Sequence, residues 1–377
     1  SGAMAKVSSG DVLVAGGGVV GLAVALELGR RGAEVTLLER EGRVGRGATA
    51  AAAGMLAAAA ESSSPGPFFE LAVRSATLWE SWAPTLLQES GVDCEMEACG
   101  LLRVTTSADR AAELEARRSW QVASGLEVSP LMGPEELRHE VPGLGPDTVA
   151  GLLYPGVAHV HSHRVAEALA GAGRRAGVRV ELGAGITDVQ SDSEGLTLVA
   201  GGVRHRARRL VLATGSWGSD LLTRLGVRLE VQPVRGQMVA VRPRGRPLPR
   251  IVFSDGPYAL QKRSGLVLIG ATEERAGFAA EPTLEGVQRL TSQAQALLPE
   301  LGGARFETAW AGLRPFMEGG PVIGALPSDP RVLLALGHHR NGILLAPITA
   351  ELVARALVNG SDPPELEPFS PGRRLAG

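Results

Sequence analysis

Cysteine is nearly absent from this chain: Cys94 and Cys99 are the only two among 377 residues. They form neither a CxxC pair nor a metal-ligand set, which excludes a disulfide-stapled scaffold and a thiolate metal centre. So sparse a use fits a reducing compartment, and the cytoplasm is the expected location. Aromatic residues make up 4% of the chain, with two tyrosines, so a tyrosine within a strand pattern is notable. Neither sign of charge dominates: 38 basic against 40 acidic residues leave a net charge of −2, which gives no electrostatic footprint for nucleic acid or an anionic membrane. No run of about 18 purely apolar residues marks a membrane span. Arginine pairs such as Arg30-Arg31 and Arg174-Arg175 fall at expected helix C-termini, where cations favour the helix dipole. Ser1-Gly2-Ala3-Met4 reads as a cloning remnant.

Glycine, by contrast, is plentiful, and its placement near the start is specific. Val12-Leu13-Val14-Ala15 runs into Gly16-Gly17-Gly18-Val19-Val20-Gly21, and Glu39-Arg40 closes the next apolar run. Gly16 permits a tight turn, Gly18 lets backbone approach a pyrophosphate, and Gly21 lets a helix pack closely on a strand. The helix would aim its free N–H groups at the phosphates. Glu39 lies about 20 residues on, where a carboxylate can receive a ribose hydroxyl. The pattern predicts a bound dinucleotide without saying which.

A hydrophobic fraction of 44% and a length of 377 residues predict two globular domains. Strands are expected at residues 11–15, 34–38, 179–182, 210–213, 237–241, 256–261, 266–270 and 332–336. Helices are expected at 20–30, 68–90, 108–123, 164–176, 284–298 and from the 337–342 turn to 358. The proline-rich tail after Gly360 is expected along the surface. Dinucleotide-type α/β segments are interrupted twice by strand-rich inserts. Residues 5–90, 156–230 and 311–377 are expected to form the nucleotide domain, and residues 91–155 and 231–310 the substrate domain.

Four segments together resemble the D-amino-acid-oxidase-like flavoproteins, and among them the glycine oxidases linked to thiamine biosynthesis. They are Gly16–Gly21, Ala53-Gly54-Met55-Leu56, Trp310-Ala311-Gly312-Leu313-Arg314-Pro315, and Gly337-His338-His339-Arg340-Asn341-Gly342-Ile343-Leu344-Leu345-Ala346-Pro347. The resemblance spans nearly the whole chain. It implies an α/β fold, with a Rossmann-like FAD domain and a discontinuous antiparallel-sheet substrate domain. It also implies FAD as cofactor and a small amino acid and O2 as partners, in a homo-oligomer such as a dimer or tetramer. The implied reaction deaminates glycine and small or N-substituted amino acids: hydride passes to flavin N5, O2 becomes H2O2, and the imine hydrolyses to glyoxylate plus ammonia or amine, or passes on to thiazole synthesis. The alternatives are a flavin dehydrogenase with a non-O2 acceptor, an oxidase for a larger secondary-amine amino acid, and a non-catalytic dinucleotide-binding module.

Arg314 suits a carboxylate because a guanidinium binds it bidentately; the plain alternative is an arginine holding a turn at Pro315. The resemblance places Arg340 close to flavin and substrate, where otherwise it would be a surface arginine in a capping turn. Tyr258 would reach the substrate carboxylate, or else pack in a core. The 337–342 turn starts a helix whose N-terminus would face the flavin pyrimidine edge and stabilise reduced flavin. Cofactor contacts are carried to Gly16, Gly18, Val19, Val20, Gly21, Glu39, Arg40, Ala48, Thr49, Ala53, Gly54, Met55, Ile186, Thr214, Gly215, Trp217, His339, Arg340, Asn341, Gly342, Ile343 and Leu344. Met55 by itself would read as core packing, and Ile186 would contribute backbone.

One departure concerns the substrate. Glu273 stands where a relative has a methionine near the substrate, so it either meets a bound amino acid or turns outward. His159-Val160-His161-Ser162-His163 puts three imidazoles on one face if extended, but no acidic or thiol ligand completes a metal set, and no metal is expected.

Overall fold

The computed structural model describes residues 12–376; the expected remnant at Ser1–Met4 and the strand start at Asp11 lie outside them. Short strands build the first sheet, apolar and buried at its centre and polar and largely exposed at the edge strand Arg179–Glu181. Its order is Val322–Ala325, Val332–Leu336, Arg209–Leu212, Val12–Ala15, Val35–Leu38, Arg179–Glu181. All neighbours are parallel except Val322–Ala325, as expected for strands buried on both faces. The first strand lies centrally, with its sequence successor on one side and Arg209–Leu212 on the other. That is a topological switch point, and a crevice opens beyond the strands' C-terminal ends.

Helices Val19–Arg30, Pro67–Ser90, Ser162–Arg175 and Gly342–Asn359 cover one face around a shared core. Trp79 donates through Nε1 to the Ile343 carbonyl (3.1 Å), and Ser75 donates to the Leu344 carbonyl (2.6 Å). These bonds fix the start of helix Gly342–Asn359. The stretch His339–Asn359 is long and apolar enough to cross a membrane by length and composition, but 78% of its most apolar window is buried inside the protein.

The second sheet has seven strands in the order Arg305–Phe316, Gln232–Arg242, Val267–Gly270, Tyr258–Gln261, Ile251–Phe253, Leu101–Thr105, Ala150–Tyr154. It is antiparallel except between Ile251–Phe253 and Leu101–Thr105. The segment around Arg314, read from sequence as a turn, is instead part of the twelve-residue strand Arg305–Phe316. Pro315 misled that reading. It sits opposite Pro233 on an edge strand, where a missing N–H costs no ladder bond. The expected domain boundary after residue 310 falls inside this strand.

Two further differences stand out. A three-stranded meander, Ile186–Asp192, Gly195–Ala200 and Val203–Ala207, lies between two strands of the first sheet and had no expected counterpart. The tail is not merely superficial, since Leu366 and Phe369 insert into the core that helix Gly342–Asn359 also lines.

Candidate active site

The crevice at the switch point opens into a cavity of about 780 Å³ that continues to the face of the seven-stranded sheet. At its inner end, Ala213 N donates to the Ala15 carbonyl (2.8 Å), and a side chain on Gly16 (φ 107°) would strike the Ala213 carbonyl. Gly17 N donates to Glu39 Oε2 (2.7 Å) and Val19 N to Thr49 Oγ1 (3.0 Å). Helix Val19–Arg30 begins at the cavity wall with no side-chain cap. Beside it the Arg40 guanidinium stacks on the Trp217 ring (3.6 Å to the centroid). Ile186, Thr214 and Gly215 complete this end.

At the outer end, side chains two apart on a strand share a face. Trp310, Gly312 and Arg314 are such a set on strand Arg305–Phe316. Trp310 donates to the Ala51 carbonyl (3.2 Å), Gly312 makes room for Ala51, and Arg314 lines the cavity. Nη1 of Arg314 donates to the Thr272 carbonyl (2.9 Å), its one hydrogen bond among the described residues. Burial weakens its hold on its proton, yet a guanidinium remains charged. It is a half-buried cation with no ion-pair partner among the described residues, an arrangement that favours an incoming anion.

Tyr258 lines the same space, its hydroxyl 3.3 Å from Met238 Sδ. Burial pushes its pKa up to about 12, so it keeps its proton and serves as a donor. Arg340 pairs with Glu61 (2.8 Å) and more loosely with Glu273 (3.9 Å). His339 occupies the left-handed region (φ 51°), a strained conformation that clusters at functional sites. Burial lowers its pKa to about 4, so it is neutral near pH 7.

Nearly every residue expected at the site therefore lines one cavity, including Gly18, Val20, Ala48, Ala53, Gly54, Met55, Asn341, Gly342 and Ile343. Two do not. Gly21 lies behind the turn, where a side chain would strike the Gly16 carbonyl, so it serves helix packing. Leu344 is 1% exposed and points into the helical core; helix periodicity carries it away from the cavity that Ile343 reaches. The histidine comb is divided: His159 pairs with Met55 in a short sheet, while His161 and His163 sit at the start of a helix.

Sequence reasoning missed Glu61, Gly236, Met238, Thr272 and Phe278, which line the cavity. It also missed Lys262, whose buried Nζ donates to the Ala53 (2.6 Å) and Val160 (2.8 Å) carbonyls and lies 3.3 Å from His159 Nδ1. An apolar strand ending in lysine looks like a solvated strand end. Only tertiary contacts show its ammonium group under the Ala53-Gly54-Met55 wall.

The family model for FAD-dependent oxidoreductases (DAO) matches residues 11–356. The chain belongs to that family. Its cofactor is FAD, and the cavity suits one. Among the described residues Thr214 Oγ1 and His339 Nε2 are buried there without a partner, and both the Val19 and Gly342 helices begin there with no side-chain cap.

The glycine oxidase of Geobacillus kaustophilus is 36% identical over 368 residues, covering 97% of each chain. The crystal structure of glycine oxidase from that organism superposes with a TM-score of 0.93 at 34% identity, covering 96% of this chain and 98% of that one. A bifunctional ThiO/ThiG protein of Synechocystis sp. is 34% identical; the match covers 98% of this chain and 54% of that longer protein. The iminodiacetate oxidase of Chelativorans sp. BNC1 shares the fold at a TM-score of 0.87 and 23% identity, covering 96% of this chain and 98% of that one.

Proposed function

We propose that this FAD-dependent oxidoreductase is an amino-acid oxidase of the glycine oxidase kind, deaminating glycine and small or N-substituted glycines. The observation that carries the reading is the half-buried, loosely partnered Arg314 guanidinium in the same cavity as the glycine turn. A substrate carboxylate supplies the missing anion, and bidentate pairing fixes its orientation. Tyr258 adds a neutral donor from the neighbouring strands. The uncapped start of helix Gly342–Asn359 favours negative charge at the cavity.

When bound, FAD supplies the two-electron acceptor for the substrate hydride and passes the electrons to O2, giving H2O2. The chain's own residues bind, orient and shield. None is required as a base once the amine is neutral, and His339 and Tyr258 hold fixed protonation states around neutral pH. The imine then hydrolyses to glyoxylate plus ammonia or amine. The fusion of such a sequence to a ThiG partner in Synechocystis sp. supports onward passage to thiazole synthesis. Residues lining the inner end, from Gly16 and Gly18 to Glu39, Arg40 and Trp217, would hold the dinucleotide half. Ala53–Met55 and residues 339–343 would hold the flavin half. A cytoplasmic location is in keeping with the free thiols Cys94 and Cys99.

The test is anaerobic addition of glycine, sarcosine and D-amino acids to the yellow holoenzyme, followed by air. Bleaching by glycine or sarcosine and peroxide on reoxidation are expected. Bleaching without peroxide would assign a dehydrogenase with another acceptor, and no bleaching by any amine would sink the reading.

A further inference from the structure

Five charged or polar groups surround the outer end of the cavity, and their pairing is uneven. Arg314 and Tyr258 are reserved for the substrate carboxylate under the function proposed above, on which this inference rests. Arg340, 40% exposed, is taken by Glu61, a carboxylate with 9% exposure, at 2.8 Å. Glu273 is 57% exposed and, among the described residues, has a single loose ion pair, 3.9 Å from the same arginine. Its neighbour Glu274 behaves differently: Arg235, Gln237 and Thr272 all bond its carboxylate on the strand side. Arg275 does not compensate for Glu273, because it bonds Gln232 and lies over the Phe316 ring. Away from Arg314, the cavity's outer end therefore carries one cation and two carboxylates, a formal charge of −1.

We propose that Glu273 sets substrate specificity by charge, favouring amines whose substituent ends in a cation and turning away those whose substituent ends in a carboxylate. The substrate class is glycine bearing a short N-linked or Cα-linked chain with a terminal ammonium group. A second carboxylate at that place would meet Glu273 while Arg340 is already engaged by Glu61. The terminal ammonium would instead complete an ion pair at the cavity mouth. Solvent reaches this carboxylate, so the preference is moderate and salt-sensitive.

The test compares kcat/KM for N-(2-aminoethyl)glycine, iminodiacetate and sarcosine on wild-type holoenzyme, Glu273→Gln and Glu273→Lys. Ratios are taken within each enzyme, so a general loss of activity cancels. The expected wild-type preference for the cationic over the dianionic substrate is about tenfold or more beyond neutral substituents at low salt. It should shrink as salt rises, approach unity in Glu273→Gln, and reverse in Glu273→Lys. A wild-type enzyme that oxidises sarcosine but shows no charge preference, or a preference that survives in both variants, overturns the role of Glu273 and leaves the oxidase reading intact. A flavin that none of the three amines reduces overturns both.

Discussion

The guanidinium of Arg314 lies where a side chain on Gly236 would have to stand. The two residues sit on paired strands, with Val234 opposite Arg314 and Gly236 opposite Gly312. Gly236 is thus a steric condition for the arginine's position. Arg314→Ala should raise the KM for glycine or sarcosine by about ten- to hundredfold, because a charged hydrogen bond contributes about 1.5–3 kcal/mol. Gly236→Ala should raise KM in the same direction with Arg314 still present, by displacing it. Steady-state kinetics on both variants decide the matter: an unchanged KM in Arg314→Ala rules out the carboxylate clamp.

Gly18 offers a cleaner test of the cofactor end. Its backbone is extended (φ −76°, ψ 179°), and the nearest atom to an added Cβ is Thr49 Oγ1 at 3.5 Å. Gly18→Val should therefore fold and yet lose FAD, since the added bulk enters the cavity. Circular dichroism should match wild type while visible flavin absorbance disappears. A variant that purifies yellow would refute the assignment.

Lys262 ties two carbonyls beneath the cavity wall, and burial pulls its pKa down to about 7. A lysine so depressed contributes stability that is fully present above its unfolded pKa near 10.5 and is lost as pH falls toward 7. Lys262→Met should lower stability by leaving the Ala53 and Val160 carbonyls without a donor, and should loosen flavin retention. Denaturant unfolding at pH 7 and about pH 9 should show a wild-type gain at the higher pH that the methionine variant lacks.

His338 is buried with Nε2 3.0 Å from Thr349 Oγ1, and burial alone lowers its pKa to about 4. Its folded pKa lies below the usual 6.5, so the fold keeps it neutral. Its contribution is present above pH 6.5 and is lost as the pH falls through 4, on the order of 3 kcal/mol in all. Thermal midpoints should drop steeply across that window, and His338→Gln should flatten the drop. Equal slopes for both proteins would exclude His338 as a source of acid sensitivity.

The glycine turn was legible in sequence because its constraints are local: a positive φ at Gly16, a crowded Gly21 and an uncapped helix start all lie within six residues. Helices such as Ala108–Ala123 and the strand Val332–Leu336 were legible for the same reason. The strand through Arg314 was not. Pro315 argues against a strand, and nothing local shows that this segment takes the sheet edge beside Gln232–Arg242. Leu344 was misplaced because a motif names consecutive residues, whereas a helix turns each one to a different face.

By itself the sequence determined the dinucleotide turn and the family to which the chain belongs, and it singled out Arg314 as the candidate carboxylate partner, since each is a residue type in a local pattern. Tertiary structure alone decided which charges remain open. The sequence pointed to Arg340 and Glu273 but passed over Glu61, and nothing in it showed how these charges pair with one another or that Glu274 is engaged elsewhere. Folding brings Glu61 to within 2.8 Å of Arg340, bonds Glu274 to Arg235, and leaves Glu273 facing the cavity with one loose contact. Ion pairing depends on distance and burial across the fold, and neither is written in the order of residues along the chain.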